Sequence, residues 1–238
     1  LISRLVGQVY CLANFFIEPL LASLKIYFAN ACKLTEEWKQ DISKLDSDFT
    51  SSFKTFLFQM IEIENCIEPL DRYVLSDGKI IHSFVCIADA SNCLLGAIIY
   101  AVTTDKSGRK HSTIVDARSK MSHHHVPKNE NLSIKFVLSL LYKYLKTVKD
   151  YITTPFKIHV LNDSKSSSFY FNPKQILKEI LLKNSITHIN RTIDYLFLEY
   201  KQLTSVQFSY INTNLSSAYI LTKLSKRSMT QILNCKLY

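Results

Sequence analysis

The sequence predicts an α/β domain in which a mixed five-stranded sheet is flanked by helices and preceded by a helical segment. Three apolar strand patterns follow one another closely, at about 80–89, 94–103 and 112–120. Two further strand patterns, at 156–163 and 206–211, alternate with helical patterns. An order of three strands, helix, strand, helix, strand and helix is typical of an α/β fold with a mixed sheet.

The first part of the chain predicts helices rather than strands. Large apolar residues recur there at steps of three and four, which is the spacing of one helix face. The clearest stripe comprises Trp38, Ile42, Leu45, Phe49, Phe53 and Phe56. Pro69 and the Asp77-Gly78 pair then indicate a linker and a turn. We therefore expect a helical domain over 1–72 and a second domain over 73–238.

Within the second domain, turn and helix signals separate the strands. A polar loop at 104–110, with Gly108 inside it, predicts a hairpin between the second and third strands. Apolar residues at helical spacing predict a helix from about 130 to 148. Helical patterns also cover about 173–202 and 216–234.

Composition favours a folded domain with a polyanionic partner. Hydrophobic residues make up 47% of the 238 residues, while Gly and Pro number only four and five, which argues against disorder. The net charge is +9, and a basic balance of this size favours nucleic acid over a membrane surface. A basic domain that binds no anion is the alternative.

The cysteines and the apolar runs bear on the compartment. None of the six cysteines forms a CxxC pair, and several stand in apolar surroundings, so we expect buried free thiols in a reducing compartment. No apolar run approaches the roughly 18–20 residues of a membrane span. We therefore expect an intracellular protein (cytoplasm, virus-like particle or nucleus) that is not secreted and has no membrane partner.

Three acids stand at the ends of predicted elements. Asp89 ends an apolar strand, Glu130 opens the long helix, and Asp163 closes the fourth strand. A carboxylate half buried at the edge of a sheet is costly unless it has a partner, and a divalent cation is the obvious one. The alternatives are a strand-end turn at Asp89, a helix-dipole role for Glu130 and a cap at Asp163.

Basic residues surround these acids in the sequence. Arg118, Lys120 and Lys128 are candidates for contacts to a nucleic-acid backbone, or they form a solvated basic rim. The run His123–His125 favours an exposed loop over a zinc site, because adjacent histidines rarely bind one ion with good geometry. The sequence has no phosphate-binding Gly loop.

Several short blocks resemble one family. Arg4–Pro19 is similar to the region after a polymerase palm. Ala88-Asp-Ala-Ser91, Ala117–Met121, Val126–Glu130 and Leu161–Ser164 are similar to successive ribonuclease H blocks. In this order they resemble the end of the reverse transcriptase and the ribonuclease H domain of Bel/Pao-type retrotransposon polyproteins.

The resemblance implies a ribonuclease H-like fold, behind a segment like the thumb or connection of a reverse transcriptase. It implies hydrolysis of the RNA strand of RNA–DNA hybrids during reverse transcription, with the polymerase of the same polyprotein as a partner. Two Mg²⁺ ions, or Mn²⁺, would be held by Asp89, Glu130 and Asp163. The residues expected to contact nucleic acid are Ser91, Arg118, Lys120, Lys128 and Ser164.

The chain departs from the family pattern at two positions. Tyr219 stands where the family usually has a fourth carboxylate, and Asn162 stands where Thr is common. The first departure leaves open a weakened enzyme, or an inactive module that binds nucleic acid or serves a structural role. A rival integrase-type triad would combine Asp89 and Asp163 with Glu199, since 35 residues separate the last two.

Overall fold

The computed structural model of the chain describes residues 79–92, 94–122, 124–164 and 180–222. The chain divides into two compact units, and all of these residues belong to the unit that includes 71–223. The predicted helical segment 1–72, with its aromatic stripe, lies outside the described residues. The predicted domain boundary therefore stays a prediction.

A mixed five-stranded sheet forms the centre of the described unit. Its strands are β1 (Ile80–Ala90), β2 (Leu94–Thr104), β3 (Lys110–Met121), β4 (Phe156–Asn162) and β5 (Leu203–Tyr210). The order across the sheet is β3-β2-β1-β4-β5. β1 pairs with β2 and β2 with β3 in antiparallel fashion, whereas β1–β4 and β4–β5 are parallel. The predicted mixed sheet is thus confirmed, although β5 begins three residues earlier than expected.

The hairpin between β2 and β3 is formed by the predicted polar loop. Gly108 has φ 82°, a conformation that L side chains rarely adopt. Asp105 stabilises the turn, because its Oδ1 accepts hydrogen bonds from the backbone N–H groups of Ser107 and Arg109, at 2.8 and 3.0 Å. The loop lets the two long strands pair over their full length.

The first described helix, α1 (Val126–Val148), begins four residues before the predicted start. Pro127 lies in its first turn, where the missing N–H of proline costs no helical hydrogen bond. Glu130 therefore does not open the helix: it lies in the second turn. The side-chain amide of Asn129, the residue before it, donates to the carbonyl oxygens of Ser91 and His124.

The core lies between the sheet and α1. Alternate residues of β1 and β2, among them Phe84, Ala88 and Ala97, pack against the apolar side of α1. Phe84 contacts Phe156 of β4 edge-to-face, with ring centroids 5.6 Å apart. The second helix, α2 (Ile180–Glu199), adds buried side chains to the same core and then turns directly into β5. The start predicted for this helix, near residue 173, lies outside the described residues.

A short helix, α3 (Tyr219–Thr222), packs on β2 and β1 after the end of β5. The backbones are very close there: a Cβ added to Gly96 would lie 2.8 Å from the carbonyl oxygen of Ala218. Neighbouring residues of a strand point to opposite faces of the sheet. Ala97 packs in the core on the α1 side, so Gly96 faces the other side. α3 therefore covers the face opposite to α1. The rest of the helix predicted over 216–234 lies outside the described residues, apart from the turn that precedes α3.

Among the helices of the described residues, none combines the length and the apolar character needed to cross a bilayer.

Candidate metal centre

Asp89 lies near the carboxyl end of β1, which is the central strand of the sheet. Its side chain is 3% exposed, so the expectation of a half-buried acid at the edge of the sheet is wrong. The sequence could not show this burial because it depends on β4 and α3. Strand β4 pairs with the other side of β1, and the Thr222 hydroxyl of α3 donates a hydrogen bond to Oδ2 of Asp89.

Glu130 and Asp163 reach the same place from other elements. Glu130 projects from the second turn of α1 and is 8% exposed, while Asp163 directly follows the last residue of β4. One carboxylate oxygen from each of Asp89, Glu130 and Asp163 lies within 4.8 Å of the others. The structure therefore brings together the three acids that the sequence predicted to converge. Their catalytic and metal-binding roles stay predictions.

Among the described residues, no basic side chain neutralises the charges of this cluster. Within the described ranges, no Lys, Arg or His forms an ion pair with any of the three acids. Burial raises the pKa of Glu130 to about 8, and the charges of Asp89 and Asp163 add to this effect. Burial also raises the pKa of Asp89 to about 6, against the lowering effect of the Thr222 hydrogen bond.

Such a cluster fits a divalent cation. Buried carboxylates that repel one another are unfavourable unless protons or a cation compensate their charge. Carboxylate oxygens are the ligands that Mg²⁺ and Ca²⁺ prefer, and none of the three residues supplies a soft ligand. The oxygen ligands, and the lack of a basic counter-charge among the described residues, therefore both match a hard cation.

Neutral hydrogen-bond donors surround the carboxylates. The Thr222 hydroxyl donates to Asp89, and the Thr213 hydroxyl donates to Oδ2 of Asp163 at 2.6 Å. The side-chain amide of Asn162 donates to the carbonyl oxygen of Ala88 at 3.0 Å and lies 3.4 Å from Oε2 of Glu130. Sequence reasoning missed both threonines. The only available signal was the position of Thr222, three residues after the expected fourth acid.

The residues expected to contact nucleic acid lie on several different elements. Ser91 lies in the β1–β2 turn, where its hydroxyl accepts a hydrogen bond from the N–H of Leu94. The N–H of Ser164 donates to Oδ1 of Asn162, immediately beside the acids. The guanidinium of Arg118 is engaged by Asp116, with Nε 2.9 Å from Oδ1. Their contacts to nucleic acid stay predictions.

Lys120 and Lys128 remain near the surface. Lys120 is exposed at the end of β3, and Nζ of Lys128 lies 3.4 Å from Nδ1 of His124. Lys120 lines a groove of about 430 Å³ between this strand end and α1, together with Lys135, Ser122 and His124 over an apolar floor. Lys135, which sequence reasoning missed, follows Glu130 by five residues on α1. The Ser122 hydroxyl, which lines the groove, donates to Oδ1 of Asn129, the residue before Glu130, at 2.6 Å.

The alternative sites receive no geometric support. Glu199 ends α2, where Nζ of Lys149 lies 3.7 Å from its Oε1, and the adjacent Tyr200 packs on Phe156 at the start of β4. Asp163 follows the opposite end of β4. The length of this strand, at the usual rise per residue, puts Asp163 roughly 20 Å from the end where Tyr200 packs. His124 and His125 are exposed, and neither belongs to a metal-like cluster of described residues. His123 lies outside the described residues.

The fold and the carboxylate cluster together define a ribonuclease H-like domain. Three antiparallel strands are followed by a helix and two parallel strands, and the acids meet where β1 and β4 end. The sequence model of the family described as Pao retrotransposon-like RNaseH-like domain matches residues 11–164. The chain belongs to this family, and the resemblance to Bel/Pao-type retrotransposon polyproteins is confirmed.

The chain is also similar to solved structures at low identity. Ribonuclease H1 from the archaeon Halobacterium salinarum is 8% identical, with a TM-score of 0.32, over 57% of this chain and 90% of that one. A complex of LC11-RNase H1, from compost, with an RNA/DNA hybrid is 15% identical, with a TM-score of 0.35, over 56% and 88%. A foamy viral protease–reverse transcriptase bound to double-stranded DNA is 16% identical, with a TM-score of 0.42, over 88% and 31%. No curated protein is found to be similar in sequence.

Proposed function

We propose that the chain is the ribonuclease H domain of a retrotransposon polyprotein and hydrolyses the RNA strand of RNA–DNA hybrids in a Mg²⁺-dependent reaction. The observation that carries the proposal is the cluster of three carboxylates, two of them buried, without a basic counter-charge among the described residues. Membership of the Pao retrotransposon-like family supports the same reaction class.

In this proposal Asp89, Glu130 and Asp163 would hold the two metal ions. The metal would lower the pKa of a water molecule and stabilise charge on the phosphate that is attacked. The burial of Asp89 and Glu130 keeps bulk water away from their oxygens. Basic side chains near the surface, with the exposed Lys120 and the half-buried Lys128 as candidates, would hold the hybrid by its phosphates. The polymerase domain of the same polyprotein is the proposed partner.

The test is cleavage of a labelled RNA–DNA hybrid by the full chain with Mg²⁺ or Mn²⁺. We expect Asp89→Asn and Glu130→Gln each to lower the rate by at least about 100-fold, because a metal ligand is lost. The matched control is Asp150→Asn, which changes an exposed acid beyond the far end of α1 and leaves the rate unchanged. Equal cleavage by the Asp89→Asn variant and the parent chain would contradict the proposal.

A second candidate function is an inactive module that binds the hybrid without cutting it. Tyr219 favours this candidate because it replaces the expected fourth carboxylate. It lies one helical turn before Thr222, so an acid at 219 would share the helix face that reaches Asp89.

The discriminating substitution is Tyr219→Asp, with Tyr219→Asn as its neutral control. For an inactive module, the parent chain binds hybrid without turnover and only the Asp variant gains Mg²⁺-dependent cleavage. Cleavage by the parent chain that a chelator abolishes would exclude this candidate.

A further inference from the structure

The segment that follows β5 supplies hydroxyl groups to two of the clustered carboxylates. Thr213 donates to Asp163, 50 positions earlier in the chain, and Thr222 donates to Asp89, 133 positions earlier. Both hydrogen bonds connect residues that are far apart in the sequence. In each of them the acceptor is one of the three clustered carboxylates.

Independent contacts hold this segment in place. The N–H of Ile211 donates to the carbonyl oxygen of Asn162 at 3.0 Å, which extends the β4–β5 pairing towards Thr213. Further along the segment, next to α3, the Tyr100 hydroxyl donates to Oγ of Ser217 at 3.1 Å. The Ser119 hydroxyl donates to the carbonyl oxygen of Leu221 at 2.9 Å. The two threonines are therefore placed by the sheet rather than by the carboxylates alone.

The chemistry of these contacts suits metal ligands. An ionised carboxylate offers about four lone-pair sites, so one hydrogen bond from a hydroxyl leaves other sites for a cation. A neutral donor fixes the orientation of a metal ligand. Unlike the charged amino group of a lysine, it does not compete with the cation for the negative charge of the carboxylate. The Thr222 hydroxyl also lies 3.0 Å from the carbonyl oxygen of Tyr219, but a charged acceptor forms the stronger bond.

We propose that Thr213 and Thr222 are positioning residues, which hold the carboxylates of Asp163 and Asp89 in the arrangement that binds a divalent cation. The segment after β5 thus contributes two neutral donors at the place where its expected acid is replaced by Tyr219. The inference rests on the proposed function, because it assumes that the carboxylate cluster binds metal.

The test measures metal binding without substrate, by titrating the full chain with Mn²⁺ in electron paramagnetic resonance and with Mg²⁺ in calorimetry. Loss of contacts that orient metal ligands typically costs 10–100-fold in affinity. We expect Thr222→Val and Thr213→Val each to weaken binding by about 10-fold or more, since valine keeps the shape of threonine but has no hydroxyl. Thr222→Ser and Thr213→Ser, which keep the hydroxyl, stay within about 3-fold of the parent.

The matched control is Thr204→Val. The Thr204 hydroxyl donates to the carbonyl oxygen of Phe156 at 3.0 Å, at the opposite end of β4, so its loss leaves metal affinity unchanged. If the Thr222→Val variant does not fold, the Thr213→Val variant provides the same test. The side chain of Thr213 is only partly buried, so its replacement disturbs the fold less.

The outcomes separate the two proposals. A parent chain that binds metal and cleaves hybrid, with folded valine variants of equal metal affinity, overturns the role of the threonines alone. A parent chain that binds neither Mn²⁺ nor Mg²⁺ overturns the proposed function. Weaker binding in the serine variants as well as the valine variants would contradict a role for the hydroxyl itself.

Discussion

At the scale of single residues, the cluster makes stability depend on pH when no metal is bound. The pKa values of Asp89 and Glu130, about 6 and about 8, lie above the ordinary values of 3.8 and 4.5 for these groups. The folded state therefore binds more protons than the unfolded state in this range, and the free energy of unfolding falls as pH rises. The conflict between burial and charge is the physical cause.

We accordingly predict that the chain in EDTA loses stability between about pH 5 and pH 8. One unit of pKa shift corresponds to about 1.4 kcal/mol, so the shift of Glu130 alone predicts a loss of about 2 kcal/mol or more over this interval. Melting temperatures at several pH values provide the measurement. Glu130→Gln should flatten the profile, and added Mg²⁺ should raise the melting temperature more at pH 8 than at pH 5, because the carboxyl groups release protons as the pH rises over this interval. An unchanged profile in this variant would be inconsistent with the account.

Asn162 shows how a departure from a family pattern can be accommodated. Its amide nitrogen contacts the Ala88 carbonyl and Glu130, and its Oδ1 accepts the N–H of Ser164. Both ends of the side chain are thus used beside the acids. A threonine could not make this combination, because a hydroxyl has a single proton to donate.

At the scale of elements, the contact between α3 and β2 depends on the absence of a side chain at Gly96. An added Cβ would lie 2.8 Å from the Ala218 carbonyl oxygen and 2.9 Å from Cγ2 of Thr222. Because the first of these atoms belongs to the backbone, the helix itself has to move. The position of the Thr222 hydroxyl, and hence of Asp89, is therefore linked to Gly96.

We predict that Gly96→Ala lowers stability by about 1–3 kcal/mol, the usual cost of overpacking, and also weakens Mg²⁺ binding. Chemical denaturation in EDTA gives the first quantity, and calorimetric titration gives the second. Ser119→Ala is a useful comparison because it removes a hydrogen bond to α3 without forcing the helix away. Full metal affinity in a destabilised Gly96→Ala variant would break the proposed link.

The arrangement of the elements explains which site residues the sequence could predict. Asp89 and Asp163 were identified because each stands at the end of a recognisable strand, and the convergence of the acids follows from strand order. The predicted start of α1 is four residues late because proline, which breaks a helix interior, is compatible with the first turn, where Pro127 lies. Thr213 and Thr222 escaped because their contacts span 50 and 133 positions, and no periodic pattern marks such contacts.

At the scale of the whole molecule, part of the net charge of +9 has a candidate location in the groove between β3 and α1. The groove between β3 and α1 presents Lys120, Lys135 and His124, and none of the described residues that line it is acidic. A surface of this kind attracts a polyanion without reading its sequence. It would serve an enzyme and an inactive binding module equally, so binding has to be measured separately from cleavage.

The last prediction concerns the salt dependence of hybrid binding. Measured in Asp89→Asn to prevent cleavage, Lys120→Gln and Lys135→Gln should each weaken binding and make the slope of log K against log salt less negative by about 0.7–0.9, because one fewer counterion is released. The control is Lys201→Gln, an exposed lysine in the turn before β5, which is remote from the groove. Fluorescence anisotropy with a labelled hybrid at several salt concentrations gives both quantities. If Lys201→Gln changed the slope as much as the groove variants do, the charge would act as a diffuse field rather than through this groove.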